Sequence, residues 1–370
     1  MRAPVTSAWL QRIGTATPPN DVHQAFLAYA RSLVKGDRER QLFDRMAERS
    51  SIEHRYSVLR PGRLAAGEID AAGFYKRGQF PGTAERMALY EREALSLALH
   101  AVHALAAADD LAAQLARVTH LVVASCTGFV APGLDVQLID ALGLNDDVQR
   151  TLVGFMGCSA ALPALRVAQQ TVCADPDALV LVVNVELSSL HLRESSAVDE
   201  LLSFMLFGDG ASAALVGSQP LGAELLDFRS KLLPDSRDLI TWNVGNQGFE
   251  MHLSGLVPGR IAEALAGEIQ GKDAAGLLRG KQASEYTLWA VHAGGRSVLD
   301  AVERGLALPA AALQDSRAVL RAVGNVSSAT VMFVLRRMLA AARPGEQGMA
   351  LAFGPGLSAE SMRFRIAGLS

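Results

Sequence analysis

The alternation of short apolar runs with helix-like segments, which begins at Val118, most constrains the fold of this chain. Strand-like runs occur in VTHLVVASC and ALVLVVNVEL, and helical spacing occurs between them in LDVQLIDALGL and CSAALPALRVAQQTVC. Such alternation predicts a buried, largely parallel sheet with helices on its faces. The pattern returns in YTLWAVH, GRSVLDAVERGL and GMALAFG. We therefore predict an α/β protein with two related halves, residues 1–225 and 226–370.

The segment before Val118 is helical in character, with apolar residues at three- and four-residue spacing in VHQAFLAYARSLV, RQLFDRMAERS and ERMALYEREALSLALHAVHAL. The formal net charge of -3 is spread over both signs, which argues against nucleic acid or an anionic membrane as a partner. The most apolar stretch, Thr151 to Leu165, is shorter than the roughly 18–20 residues of a membrane span. The N-terminal segment lacks the apolar core of a secretory signal, so we predict a cytoplasmic location.

The three cysteines are Cys126, Cys158 and Cys173, which are too few and too scattered for a disulfide framework. The chain has no CxxC or HExxH pattern, so no metal site is predicted. Cys158 differs from the other two because Gly157 precedes it and a helix of small residues follows it. A thiol at a helix N-terminus faces the positive end of the helix dipole, which favours the thiolate. The structural alternative is a packed core cysteine.

His292 and Asn325 follow Cys158 in the chain, each at a turn. His292 ends the run YTLWAVH and precedes AGGRS, so it is predicted at the carboxyl end of a strand, where α/β sheets place their sites. Asn325 lies in VGNVSSATVMFVL, at a Gly-Asn turn before a helix. A hydrogen-bonded core histidine and a simple helix cap are the structural alternatives.

Seven strings between residues 91 and 360 carry a family resemblance: EREAL, SCTGF, the Gly-Cys of FMGCSA, LFGDGASAALV, GGRSVLDAVE, GNVSSATV and FGPGLSAE. In this order they resemble the successive signatures of the chalcone synthase-like type III polyketide synthases. The resemblance implies a thiolase fold, with two related α/β halves in a layered α-β-α-β-α arrangement. It also implies a homodimer, CoA thioesters as substrates with no further cofactor, and Cys158, His292 and Asn325 as the catalytic residues, called the triad below.

The chemistry of the triad fits this resemblance. Acyl transfer from CoA needs a thiolate, and an imidazole can supply one to Cys158 by holding an ion pair with it at neutral pH. Decarboxylation of malonyl-CoA needs no base, but it generates an enolate oxygen that hydrogen-bond donors must stabilise. His292 Nε2–H and the Asn325 amide can supply those donors.

The resemblance also assigns residues around the triad. Phe207 corresponds to an aromatic gate between the CoA channel and the substrate cavity, and Met251 lies near a second gate that is usually Phe. Arg45 and Arg49 match two basic positions that bind CoA phosphates, whereas Leu42 falls where a third is usually basic. For the two arginines, a solvated helix face is the structural alternative.

The other predicted substrate-binding residues are Cys126, Thr127, Ala131, Ser188, His191, Trp242, Ser327, Phe353, Gly354 and Pro355. Bulky His191 and Trp242 are predicted to fill part of a plant-type cavity, whereas small Ala131 and Ser188 open it in another direction. Cys126 in SCTGF, together with the contexts VELSSLHLR and NQGFEMHLS, resembles the bacterial branch of the family, which includes alkylpyrone, alkylresorcinol and tetrahydroxynaphthalene synthases. We therefore predict a fatty acyl-CoA starter, extension by malonyl-CoA, and alkylpyrone or alkylresorcinol products.

Three alternatives stay open at this point. An initiating ketoacyl-ACP synthase uses the same residue types, but such enzymes usually have HQAN and a GGG loop where this chain has HAGG and FGPGL. A tetrahydroxynaphthalene-type synthase would take malonyl-CoA as the starter. A non-catalytic thiolase-like subunit would lack the cysteine, which this chain retains. The apolar run LVLVVNV further predicts a large subunit interface.

Overall fold

The computed structural model describes residues 6–63, 68–106 and 108–367. The helices are α1 (His23–Leu33), α2 (Asp37–Arg49), α3 (Thr83–His103), α4 (Ala108–Leu115), α5 (Leu134–Leu142), α6 (Ala161–Ala174), α7 (Val198–Phe204), α8 (Val257–Gly271), α9 (Arg296–Gly305), α10 (Gln314–Val323) and α11 (Thr330–Leu339). The strands are β1 (Ala8–Ala16), β2 (Asn20–Asp21), β3 (Tyr56–Ser57), β4 (His120–Ser125), β5 (Gln149–Gly154), β6 (Val180–Leu187), β7 (Asp209–Gly217), β8 (Ala223–Leu232), β9 (Ile240–Gly245), β10 (Gly248–Leu253), β11 (Leu288–Val291), β12 (Gln347–Gly354) and β13 (Ser358–Ile366). Within these described ranges, no helix has both the length and the apolar character needed to cross a membrane.

Nine of the strands form one mixed sheet in the order β11-β12-β13-β8-β1-β7-β6-β4-β5. Strand β4 runs parallel to β5 and β6, and β11 runs parallel to β12. The other neighbouring pairs of the sheet are antiparallel, so the prediction of a largely parallel sheet is wrong. A parallel neighbour requires a long crossover connection. Strand β12 instead returns directly into β13 through the short turn Pro355–Leu357.

Helices α6 and α11 form a central layer between the two halves of the sheet. Val180 and Val182 of β6 pack in the cluster that contains these helices, whereas Leu181 and Val183 pack in the cluster that contains α3 and α5. Alternate residues of β12 likewise face either the central helices or the outer helices α8, α9 and α10. The sheet is thus covered on both faces, and the layers agree with the predicted α-β-α-β-α arrangement.

Strand β6 lies entirely inside the molecule, because all of its residues are buried. The prediction that LVLVVNV forms a subunit interface is therefore wrong, since its apolar side chains are already covered by helices of the same chain. Strand β8 contains the predicted boundary at residue 225 and pairs with both β1 and β13. The division into halves at that residue stays a prediction.

Candidate active site

Cys158 lies in a short 3-10 turn, Gly157–Ser159, that leads into α6. Gly157 has a φ of 58°, in the left-handed region that favours glycine. A Cβ atom at Gly157 would lie 2.4 Å from Pro355 Cδ. Glycine therefore allows this turn to pack against the FGPGL loop, residues 353–357. The predicted position of Cys158 at the start of a helix is confirmed.

His292 directly follows β11 and is fixed through its backbone. Its N–H donates to the carbonyl of Leu351 at 2.8 Å, and the N–H of Gly294 donates to the His292 carbonyl at 2.9 Å. The residue is only 2% exposed, and Nδ1 has no hydrogen-bond partner among the described residues. A Cβ at Gly294 would lie 3.3 Å from Nε2, so glycine leaves that edge of the ring uncrowded.

The backbone of Asn325 is tied to the chain segment 206–208. Its N–H donates to the carbonyl of Leu206 at 2.8 Å, and its own carbonyl accepts from the N–H of Gly208 at 3.0 Å. Phe207 and Asn325 thereby form a parallel bridge. The predicted gate and the predicted enolate donor are consequently held in one hydrogen-bonded unit.

The side chain of Asn325 has a fixed orientation. Oδ1 accepts from the backbone N–H of Ser327 at 2.9 Å and from Thr330 Oγ1 at 3.3 Å. Nδ2 lies 3.3 Å from the carbonyl oxygen of Gly294 and 4.0 Å from Cys158 Sγ. Oδ1 also lies 4.0 Å from Cys158 Sγ, so both ends of the amide are equally near the thiol, while Nδ2 faces the loop that follows His292.

One cavity brings the triad together with most of the predicted substrate residues. The space between its walls is about 1030 Å³, including the part open to solvent. Besides the triad, the predicted residues that line it are Phe207, Met251, Cys126, Thr127, Ser188, His191, Trp242, Ser327, Phe353, Gly354 and Pro355. Three residues far apart in the sequence therefore meet at a single enclosed site.

Burial sets the charge of the triad. It raises the pKa of the Cys158 thiol to about 11, although hydrogen bonds with Ser327 and Asn325 act in the opposite direction. Burial also lowers the pKa of His292 to about 3. At neutral pH these directions favour a neutral thiol beside a neutral imidazole, which opposes the ion pair predicted from the sequence.

Comparison with known families places this site in context. The family model described as "Chalcone and stilbene synthases, N-terminal domain" matches residues 2–220, and the corresponding C-terminal domain model matches residues 224–367. The chain belongs to the chalcone and stilbene synthase family. It is a type III polyketide synthase, an acyltransferase-type enzyme, as the seven strings predicted.

Individual relatives agree with this assignment. The chain is 32% identical to the "Alpha-pyrone synthesis polyketide synthase-like Pks18" of Mycobacterium tuberculosis, over 98% of this chain and 92% of that protein. The crystal structure of PKS-I from the brown alga Ectocarpus siliculosus is 30% identical, with a TM-score of 0.83 over 99% of this chain and all of that one. The type III domain of Steely1 from Dictyostelium, 24% identical, has a TM-score of 0.85 over 98% of this chain and 99% of that one, and supports the fold.

In this synthase, His191 and Trp242 line one side of the cavity, and Phe249 packs against both of them; these three residues are called the aromatic wall. The His191 and Phe249 rings are stacked at 4.2 Å between centroids, and Trp242 meets both rings edge-on. His191 Nε2 donates to the Thr127 carbonyl at 2.6 Å, and the Phe249 N–H donates to Nδ1 at 3.0 Å. Trp242 Nε1 donates to the Cys126 carbonyl at 2.7 Å. The predicted filling of space by His191 and Trp242 agrees with this wall, and Phe249 was not predicted.

A buried carboxylate that was not predicted supports the floor of the site. Glu186 of β6 accepts hydrogen bonds from the backbone N–H of Cys126 at 3.1 Å, from Thr127 Oγ1 at 2.8 Å and from Ser328 Oγ at 2.5 Å. Cys126 Sγ lies 3.3 Å from Ser327 Oγ, which lies 3.7 Å from Cys158 Sγ. The available signal was a single acid inside the apolar run ALVLVVNVEL, because an unpaired carboxylate is costly to bury.

Three predicted residues lie outside the cavity. Ala131 is exposed, in a loop that precedes a cis-proline, so it does not border the acyl path within its own chain. Arg45 and Arg49 are exposed on α2, beside the half-exposed Leu42. Helix α2 packs against α7, whose residue Phe204 lines the cavity, so both arginines stand near the site without entering it.

Proposed function

We propose that this synthase extends a fatty acyl-CoA starter with malonyl-CoA and forms an alkylpyrone or alkylresorcinol product. The observation that carries this proposal is the cavity itself, in which the triad stands beside apolar walls. The apolar side chains that contribute to those walls include Ile240, Leu253, Val257, Ile261 and Val298. The name of the mycobacterial relative refers to alpha-pyrone synthesis, which supports closure to a pyrone.

In the first step, Cys158 Sγ attacks the thioester carbonyl of the starter. A new carbon–sulfur bond forms at Cys158 as the bond to the CoA sulfur breaks. Neutral His292 accepts the thiol proton and then transfers it to the departing CoA thiolate. The acyl group remains on the enzyme, and free CoA leaves with the proton.

In the second step, malonyl-CoA loses carbon dioxide, and the bonding electron pair becomes an enolate. The Asn325 amide and His292 Nε2–H donate hydrogen bonds to the enolate oxygen. The enolate carbon then attacks the acyl carbonyl on Cys158, which releases the cysteine sulfur. Because no described neighbour bonds to His292 Nδ1, the ring is free to use Nε2 as an acceptor in loading and as a donor here.

Arg45 and Arg49 are proposed to bind the phosphates of CoA at the entrance. Their exposure on α2 suits the charged, solvated end of CoA, while the cavity receives the apolar acyl group. Arg193 lines the cavity and lies 3.9 Å from Glu200, so a further cation stands at the site. Replacing both Arg45 and Arg49 with Ala should raise KM for acyl-CoA more than it lowers kcat.

A homodimer is proposed from an apolar surface next to the edge strand β5. Phe129 is 55% exposed, Leu152 60% and Phe155 38%, and the two phenylalanine rings lie 6.0 Å apart. Contiguous exposed apolar groups of this size mark interaction surfaces. Light scattering should give a dimer for the wild type and a monomer for Leu152→Glu. A cytoplasmic location stays a prediction of the sequence.

The reaction is tested with the purified chain, dodecanoyl-CoA and malonyl-CoA, followed by mass spectrometry of the products. We expect a pyrone or resorcinol that retains the dodecanoyl alkyl chain, and no product from Cys158→Ala. Product formed equally well without dodecanoyl-CoA would instead show that malonyl-CoA is the starter. Absence of any product with acyl-CoA starters of several lengths would contradict the proposed function.

A further inference from the structure

Helix α2 carries a row of exposed basic and apolar side chains. Its five residues follow one another at spacings of three and four, which places them on one face of the helix. They are Arg38, Leu42, Arg45, Met46 and Arg49, called the α2 stripe below. Leu42 is 43% exposed and Met46 is 41% exposed. Two large apolar side chains therefore face water among three guanidinium groups.

The other side of α2 attaches the helix to the rest of the chain. Phe43 is only 1% exposed and belongs to an apolar cluster with Ala30, Val34 and Leu201. The leucine and methionine of the α2 stripe are not part of this cluster. The fold of the chain therefore leaves both of these side chains uncovered.

The charge of the α2 stripe is available to a partner. Two acids of the helix are already paired, Asp44 with Arg31 at 2.9 Å and Asp37 with Arg40 at 3.6 Å. Within the described ranges, none of the three arginines of the stripe forms an ion pair. Unpaired cations grouped on one face attract an anionic partner and speed its association.

The α2 stripe ends beside the loop that follows the catalytic histidine. Arg49 is the last residue of α2, and its carbonyl accepts a hydrogen bond from Arg296 Nη1 at 3.3 Å. Arg296 begins α9 and follows His292 by four residues. Gly294, which lies between them, lines the active-site cavity. A partner on the stripe would therefore contact the chain next to a wall of the active site.

The apolar members of the stripe distinguish two carriers of the acyl group. Free CoA has a diphosphate and a 3′-phosphate, which cations bind best. A phosphopantetheine arm on a carrier protein has a single phosphodiester, and the protein around the arm offers side chains to contact. Leu42, at a position that is usually basic in the family, gives up a cation and supplies an apolar contact. This exchange favours the carrier-bound arm.

A membrane surface fits the stripe less well than a protein does. Glu39 and Glu48 are exposed and border the stripe on its two sides. A flat anionic surface pressed against the stripe would also approach these two carboxylates, and like charges repel. A partner helix can lie along the stripe between them.

We propose that the α2 stripe docks an acidic acyl carrier protein, which presents the fatty starter as a thioester on its phosphopantetheine arm. This inference rests on the proposed function and adds a second donor of the starter beside acyl-CoA. A bond forms between Cys158 Sγ and the acyl carbon as the bond to the pantetheine sulfur breaks, and the thiol proton passes to that sulfur. The contact is small, which suits a transient encounter that ends before malonyl-CoA enters.

The donor is tested by following acylation of Cys158 with mass spectrometry of the intact protein. The dodecanoyl group is supplied on the acidic acyl carrier protein of bacterial fatty acid synthesis or on free phosphopantetheine. The two donors share the reacting arm and differ only in the protein surface. We expect the carrier protein to acylate Cys158 about tenfold faster or more at equal concentration, because docking raises the occupancy of the entrance. Equal rates would overturn the proposal.

The docking surface is tested with the double variant Leu42→Ser, Met46→Ser. It should lower acylation by the carrier protein about tenfold, because apolar and arginine contacts dominate such interfaces, and leave acylation by dodecanoyl-CoA unchanged. Leu221→Ser is the matched control, since Leu221 is 53% exposed in the turn after β7, and it should change neither rate. An unchanged carrier rate in the double variant would overturn the assignment. If that variant instead lost only its cosedimentation with phosphatidylglycerol vesicles, the stripe would be a lipid contact and the proposal would be wrong.

Failure of this inference is distinguishable from failure of the proposed function. Acylation of Cys158 by dodecanoyl-CoA, followed by extension with malonyl-CoA, supports the synthase reaction without any carrier protein. If that reaction occurs and the carrier protein has no advantage over free phosphopantetheine, only the docking inference fails. If no dodecanoyl donor acylates Cys158, the proposed function and the docking inference fail together.

Discussion

The aromatic wall and the triad each contain a buried histidine, and these two histidines differ in the hydrogen bonds that their ring nitrogens make. Burial lowers the pKa of both His191 and His292 to about 3. The wall uses both ring nitrogens of His191, whereas Nδ1 of His292 has no partner among the described residues. Burial and a shifted pKa therefore do not separate a scaffold histidine from a reactive one. In this chain the uncommitted ring nitrogen in the cavity is what distinguishes His292 from His191.

The largest effect should come from replacing His292 or Cys158, the two members of the triad that are proposed to take part in proton and acyl transfer. His292→Ala removes the base for loading and a donor to the enolate, so product should disappear and malonyl-CoA decarboxylation should fall by about 10³ or more. Cys158→Ala should also abolish product, yet it should still release some carbon dioxide because both donors remain. Decarboxylation is measured as labelled carbon dioxide released from radiolabelled malonyl-CoA. If Cys158→Ala, with its fold intact, loses decarboxylation as fully as His292→Ala, the division of roles within the triad is wrong.

Removal of the second donor should have the next largest effect. Asn325→Ala leaves His292 in place, and loss of one such donor typically costs about 10²–10³ in rate. Thr330→Val is the matched control, because it removes only the 3.3 Å bond that helps to orient the Asn325 amide. It should lower decarboxylation much less than Asn325→Ala. Equal losses in the two variants would indicate that orientation, and not donation, dominates.

The charge of the triad can be measured by alkylation of Cys158 as a function of pH. Because burial raises the thiol pKa to about 11, the thiolate fraction, and with it the iodoacetamide rate, should rise about tenfold per pH unit from neutrality upward. Over two units the increase is about hundredfold. Peptide mass spectrometry distinguishes Cys158 from Cys126 and Cys173. A fast rate that does not change with pH around neutrality would instead support the thiolate–imidazolium pair predicted from the sequence.

Replacing a residue of the aromatic wall should have the smallest effect on the rate of decarboxylation. His191→Ala removes two hydrogen bonds and a ring stack, so the free energy of unfolding should fall by about 2–4 kcal/mol. Urea denaturation followed by circular dichroism measures this change. Decarboxylation per folded molecule should fall far less than in His292→Ala. A loss as large as that of His292→Ala would give His191 a direct part in the chemistry and remove the contrast between the two regions.

The family resemblance selected the three residues of the triad, and the structure places each of them at the local signal that the sequence showed. Cys158 follows a glycine before a helix, His292 directly follows a strand, and Asn325 precedes a helix. The directions of the strands were harder to predict, because an apolar run has the same pattern in parallel and antiparallel pairs. β1 shows the difficulty, since its neighbours β7 and β8 lie some 200 residues away in the chain.

The residues that were missed depend on contacts between distant segments. Glu186 joins β6 to Ser328 beside the triad, and Arg55, which directly precedes β3, donates to the carbonyls of Phe204 and Phe207. The single acid in an apolar run marks Glu186 as unusual, but neither its partner Ser328 nor the partners of Arg55 can be read from the local sequence. The ionisation of Cys158 depends on distant segments in the same way: the helix N-terminus is visible in the sequence, but the desolvation that raises the thiol pKa is produced by the whole fold.

The bridge between Phe207 and Asn325 has a consequence for recombination between relatives. In a hybrid chain whose sequence switches from one relative to another between residues 207 and 325, the gate residue comes from one relative and the loop with Asn325 comes from the other. The bridge itself uses only backbone atoms, so such hybrids keep the pairing whatever side chains they inherit. Any mismatch would fall on contacts that cross the junction, such as the close approach of Gly324 to the side chain of Arg55. Hybrid libraries should therefore transmit residues 55, 204 and 207 as one block, while residue 325 and its helix can descend from a different parent.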